Sequence, residues 1–172
     1  MKGFVPVEIP TKKYIKAYII SKLGSQPIMS TRGNSIGHKL HDLLEHSTNE
    51  RASVFTSKHY TEKIKVYIPV NRFKQRGANL NETNIKNFNI FVENELKDRF
   101  HTLMDDLISV LPNFQSNLPE VRKRIGIDIE AWSDDSMSKD YYRYRIATGK
   151  SLLYTKYFKK NFTQSVRQHS FL

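Results

Sequence analysis

The sequence predicts a mainly α fold with a minor β ribbon (α+β). A mixed N-terminal body with a long central helix precedes a C-terminal three-helix unit of helix-turn-helix type. Three observations predict it. Apolar residues from Ile85 to Leu111 recur every three or four positions, as on one face of a helix. Two short stretches, FVPVEIP and KIKVYIPV, alternate apolar and polar residues as half-buried strands do. Beyond Pro119, short helical patterns are punctuated by Gly126 and Gly149. Ten Phe, nine Tyr and one Trp give the chain enough bulk for a core, unlike a disordered sequence.

Residues 4–10 read as a strand ended by proline. Thr11 caps a helix, TKKYIKAYIISKLG, that stops at Gly24 and turns Tyr14, Ile15, Tyr18, Ile19 and Leu23 inward. SQPIMSTRGN is a loop. Asn34 starts a second helix, SIGHKLHDLLEH, with Ile36, Leu40, Leu43 and Leu44 inward. Residues 47–61 are polar and poorly patterned. KIKVYIPV follows as a strand with Ile64, Val66 and Ile68 on one face, able to pair with the first strand; RFKQRGAN is then a basic turn.

Asn79 or Asn81 caps the long helix, whose inward stripe is Ile85, Phe88, Val92, Leu96, Phe100, Leu103, Leu107 and Leu111. It spans roughly 45 Å. Such a helix is either the spine of a domain or the seam of a homodimer. The spine is preferred, because the stripe is partly Phe and lacks charged coiled-coil flanks. Pro112 ends it. The expected division is therefore a body over 1–112, a linker over 113–118 (NFQSNL), and a basic unit over 119–172.

Within that unit PEVRKRIGI is a short helix opened by Pro119, with Val121 and Ile125 inward. DIEAWS is a second, with Ile129 and Trp132 inward. Asp134, Asp135 or Ser136 caps a third from Met137 to about Thr148, with Met137, Tyr141 and Tyr144 buried.

Charge gives the functional lead. Lys and Arg number 28 against 17 Asp and Glu, a net +11, which points to a polyanionic partner. From Lys139 onward eight bases face one acid, so 8 − 1 leaves +7 in that stretch. The segment SMSKDYYRYRIATGK interleaves tyrosines with cations. The candidate nucleic-acid-binding residues are Lys139, Tyr142, Arg143, Arg145, Lys150, Lys156, Lys159 and Lys160. Arginines suit guanine edges or phosphates, lysines suit phosphates, and Tyr142 can donate to a phosphate. The positive end of the last helix would add to the attraction.

RKRIGIDIEAWSDDSMSKDYYRYR, within residues 118–145, resembles small helix-turn-helix segments in uncharacterised proteins of phages and mobile elements. The shared pattern is a hydrophobic-Gly-Ile turn, then acidic residues, then a Tyr/Arg-rich last helix. The resemblance implies DNA binding in transcription or replication of such an element. Duplex DNA is the expected partner. RNA is a second choice, because tyrosines among arginines also suit unpaired bases. A phage assembly or protein-interaction module without DNA binding is the competing class.

Enzyme chemistry is not expected. The Tyr141–Tyr142 pair resembles strand-cutting tyrosines, but that chemistry needs two histidines alternating with an apolar residue, and the chain offers HKLH. ATGKS lacks the first glycine of a phosphate loop. The adjacent pairs Asp105–Asp106 and Asp134–Asp135 diverge on a helix and make poor metal sites. His38, Asp42 and His46 share a face that reads as solvated. No cofactor, metal or disulfide is expected, since cysteine is absent. With no apolar run near 20 residues and no leader-like start, the reading is cytoplasmic, away from the membrane.

Overall fold

A computed structural model describes residues 3–24, 28–29, 33–46 and 59–150. The two alternating stretches form β1 (Phe4–Thr11) and β3 (Glu62–Pro69), paired antiparallel with Val7 opposite Val66 and Ile9 opposite Ile64. These four residues and Ile68 are buried on one face, as the alternation predicts. Pro6 and Pro10 face Tyr67 and Lys63, and Pro69 faces Phe4. The neighbouring pair, Gly3 and Val70, carries a ladder bond from the Val70 N–H to the Gly3 carbonyl at 2.9 Å. All three prolines therefore fall on the alternate pairs, where the ladder needs no amide. Pro6 and Pro10 also withhold donors from the outer edge of β1. The expected loop 25–34 adds a third strand, β2 (Ile28–Met29), parallel to β3 on its other side.

Thr11 does not cap the first helix. It is the last residue of β1 and fully buried, and its hydroxyl donates to Asn89 Oδ1 at 2.6 Å. The Asn89 amide donates in turn to the carbonyls of Pro10 and Ile85, both at 2.9 Å. A buried asparagine in this closed network ties the strand to the long helix without an orphaned polar atom. The helix α1 (Lys13–Leu23) starts after Lys12 and buries Ile15, Tyr18 and Ile19. The Asn34 side chain caps α2 (Ser35–Leu43) by accepting from the Gly37 N–H at 2.6 Å. The basic segment after β3 is not a turn but a short helix, α3 (Val70–Arg76). Gly77 closes it with φ +80°; a Cβ there would lie 2.1 Å from the Glu45 carbonyl oxygen.

Asn81 caps α4 (Glu82–Val110), and its side chain accepts from the Asn84 N–H. This helix is the spine. Ile85, Phe88, Val92, Leu96 and Phe100 are buried as expected. The stripe then continues through Met104 and Ile108, leaving Leu103 and Leu107 half-buried and Leu111 exposed. Glu95 pins α1 and α2 to the spine: it accepts from Lys22 and Tyr18 of α1 and from Ser35 of α2.

The expected linker is helical. Asn113 caps α5 (Phe114–Ile125), so Phe114, Asn117 and Leu118 are buried. Pro119 lies inside this helix and not at its first position. It forgoes the bond to the Gln115 carbonyl, which water can satisfy because Gln115 is exposed. The stretch over 128–133 is a turn, with Ile129 exposed and Trp132 buried. α6 (Asp134–Ala147) is capped by Ser133, not by Asp134, Asp135 or Ser136. Among the described residues the unit thus holds two helices, not the three expected up to Thr148. Trp132 stacks on Tyr14 of α1 at 5.5 Å and meets Phe100 of α4 edge-on at 5.2 Å, so one core runs from Val7 to Tyr141.

Candidate nucleic-acid interface

The position of α6 follows from its own sequence. Met137 and Tyr141 are buried and Tyr144 is half-buried, which turns one face onto α4. Tyr141 stacks on Phe114 of α5 at 5.5 Å and meets Phe100 at 6.0 Å. Two carboxylates lock this face. Asp105 of α4 accepts from the hydroxyls of Tyr141 at 2.6 Å and Tyr144 at 2.8 Å. Asp140 of α6 sits 2.8 Å from His101 Nε2 and 3.1 Å from Lys97 Nζ. The His101 ring stacks on Tyr144 at 4.0 Å. Burial pushes both carboxyls up. The Lys150, Tyr141 and Tyr144 donors at Asp105 outweigh it, as do His101 and Lys97 at Asp140, so both end below the ordinary carboxylate range. Burial, then the Asp105 carboxylate, push the Tyr141 hydroxyl up to about 12.

The candidate residues divide accordingly. Lys139, Tyr142 and Arg143 follow i, i+3, i+4 spacing and share the face of α6 turned away from α4. Arg143 is exposed and has no ion pair among the described residues. Tyr142 is half-buried, and Lys139 pairs with Asp135 one turn earlier at 2.7 Å. Arg145 and Lys150 do not join them. Arg145 is 11% exposed, donates to the Tyr141 oxygen at 3.0 Å and lies 3.5 Å from Asp105. Lys150 reaches the other Asp105 oxygen at 2.5 Å and Tyr144 at 2.8 Å. Both cations serve the α4–α6 contact. Lys156, Lys159 and Lys160 lie outside the described residues.

The N-terminus of α6 is no phosphate site as it stands. The Ser133 hydroxyl occupies the Ser136 amide, and Asp134 and Asp135 already offset the positive end of the dipole. The connection between α5 and α6, residues 126–133, also exceeds the three or four residues of a tight helix-turn-helix. It is built around Arg122. That guanidinium bonds Asp134 and the carbonyls of Asp128 and Trp132, while Gly126 sits at φ +71° against Ser21 of α1.

Sequence reasoning missed Arg122, Asp105 and Asp140 as structural anchors. One signal was available for Asp105. It lies four residues after His101 on a face flanking the apolar stripe, whereas Asp106 points to solvent. His38 and Asp42 form an exposed pair at 3.1 Å. His46 lies past the end of α2 and its Nε2 meets the Gln75 carbonyl at 3.1 Å, so the three do not converge. No helix among the described residues is long and apolar enough to cross a membrane. Set beside family models, curated proteins and solved structures, the chain matches none.

Proposed function

We propose that this chain binds duplex DNA through the outer face of α6, as a regulator of transcription or replication in a phage or mobile element. The supporting observation is the row Lys139, Tyr142 and Arg143 on a helix whose opposite face is bolted to α4 by Asp105 and Asp140. A rigidly mounted helix with an outward cationic face fits the width of a major groove. Contact runs through the middle of α6, because Asp134 and Asp135 repel phosphate from its start. The phage or mobile-element setting rests on the resemblance over 118–145.

Salt dependence gives the magnitude. Lys139 and Arg143 neutralising two phosphates give a log–log slope of about −1.8, so a fourfold rise in salt weakens binding about 12-fold. The test is binding of the full chain to random duplex fragments at low and moderate salt, followed by selection of the bound sequences. Arg143→Ala weakens binding about 5- to 150-fold if the guanidinium reads a base. Absence of duplex binding at low salt, or an Arg143→Ala affinity equal to wild type, refutes the assignment. The competing interaction-module reading has one observation in its favour: Val110 and Leu111 are exposed side by side at the end of α4, at 84% and 49%. An oligomer that binds no duplex would decide for it.

A further inference from the structure

We propose that α3 is a separate nucleic-acid contact, one that takes an unpaired strand. The helix has an unusual economy. It spans seven residues, VNRFKQR, and none of them is buried. A helix this short is not stable by propensity, and this one contributes no side chain to the core. It is nevertheless held at both ends. The Val70 N–H bonds the Gly3 carbonyl at one end, and His46 Nε2 meets the carbonyl of Gln75 at the other. Just beyond, Glu45 and Asn79 exchange two backbone hydrogen bonds at 3.0 and 3.1 Å. The fold fixes in place a helix that the core does not need.

What the helix presents is Arg72, Phe73, Lys74 and Arg76, with no acidic residue among them. Several cations elsewhere are matched. Lys12 pairs with Glu93, Lys16 with Glu62, Lys22 with Glu95, and Lys97 with Glu93 and Asp140. Among the described residues no ion pair reaches Arg72, Lys74 or Arg76. The nearby carboxylate of Glu45 is engaged instead by the side-chain amides of Asn81 and Asn84. Phe73 is 39% exposed, whereas Phe88, Phe100 and Phe114 are buried.

An exposed ring beside three cations that meet no carboxylate among the described residues, Arg72 being held only by Gln75 at 2.9 Å, matches the chemistry of single-strand binding. Cations track the phosphates and the ring stacks on a base of any identity. A duplex offers no such base face along its length, so the ring points to an unpaired strand. DNA and RNA share this chemistry. The α3 surface stands independently of the α6 reading.

The test uses the full chain with labelled oligo-thymidine and oligo-uridine strands of about 16 nucleotides and a blunt duplex. Wild type binds one or both strands at low salt. Phe73→Ala weakens the tighter of these about 5- to 150-fold, the range of one base stacked on an aromatic ring, and changes duplex binding less than about twofold. Phe73→Leu, which keeps apolar area but removes the ring, behaves like Phe73→Ala. Phe73→Trp retains affinity, and its fluorescence is quenched by the strand. Lys74→Glu with Arg76→Glu flattens the single-strand salt slope by about 1.4. Circular dichroism checks that each variant is folded. Wild type that ignores both strands, or Phe73 and Lys74/Arg76 variants that bind them as wild type does, overturns the proposal. Lys139→Glu with Arg143→Glu tests the α6 reading separately. Duplex binding that survives it sinks that reading and leaves α3 standing.

Discussion

Replacing Asp105 by alanine removes the main polar tie between α4 and α6. Its two oxygens accept from the hydroxyls of Tyr141 and Tyr144 and from Lys150, and Arg145 lies 3.5 Å away. A hydrogen bond to a charged acceptor contributes about 1.5–3 kcal/mol. Taking the lower value for two tyrosines at the edge of the core gives about 3 kcal/mol. Lys150 is exposed and adds little. Arg145 is nearly buried and loses its nearest carboxylate, which keeps the sum from falling below that figure. For a chain of this size, about 3 kcal/mol lowers Tm by roughly 6–12 °C. Urea unfolding measures the total. Amide exchange locates it: protection should fall over α6 and persist in the middle of α4, where Phe88, Val92 and Leu96 are buried. Asp105→Asn, which keeps an acceptor but no charge, should lose about half as much. A change within about 0.5 kcal/mol of wild type, or a loss of protection that spares α6, would refute the account of how α6 is mounted.

Acid should loosen the same contact. Asp105 and Asp140 are held below their ordinary 3.8, so their contribution is complete above that value and is lost as pH falls through the folded-state values. The urea midpoint should drop between about pH 5 and 2, and drop less in Asp140→Asn. An identical acid profile in the variant contradicts this. Gly126→Ala should cost about 2 kcal/mol or more, because φ is +71° and the new Cβ would lie 1.8 Å from Ser21 Oγ. Combining it with Ser21→Gly should relieve the collision but leave the backbone cost of about 1 kcal/mol, read from denaturant melts of the four-member cycle. Phe100→Ala should cost about 3–5 kcal/mol, since the ring is fully buried between Trp132 and Tyr141. A loss below about 1 kcal/mol would mean that these rings do not form one packed cluster.

Much of the fold was legible because the signals were local. Alternation over 62–69 and the i, i+4 stripe through Phe100 each place apolar groups on one side of one element. Asn34, Asn81 and Gly126 act on amides or carbonyls within four residues of themselves. No knowledge of a distant segment is needed to read them. The inward set Met137, Tyr141 and Tyr144 was equally legible from helical spacing.

The rest depended on partners far away in the chain. Seven residues without apolar periodicity become α3 because Gly3, just before β1, and His46, after α2, hold their ends. Pro119 reads as a helix start until Phe114, Asn117 and Leu118 find a surface to bury against. Arg145 and Lys150 stand in the sequence as candidate nucleic-acid ligands, and only the packing shows Asp105, some 40 residues earlier, beside both. Sequence by itself determined which face each helix and strand turns inward, because that follows from backbone period and short-range capping. Tertiary structure decided which charges remain available to a partner, because an ion pair depends on which two surfaces the packing sets against each other.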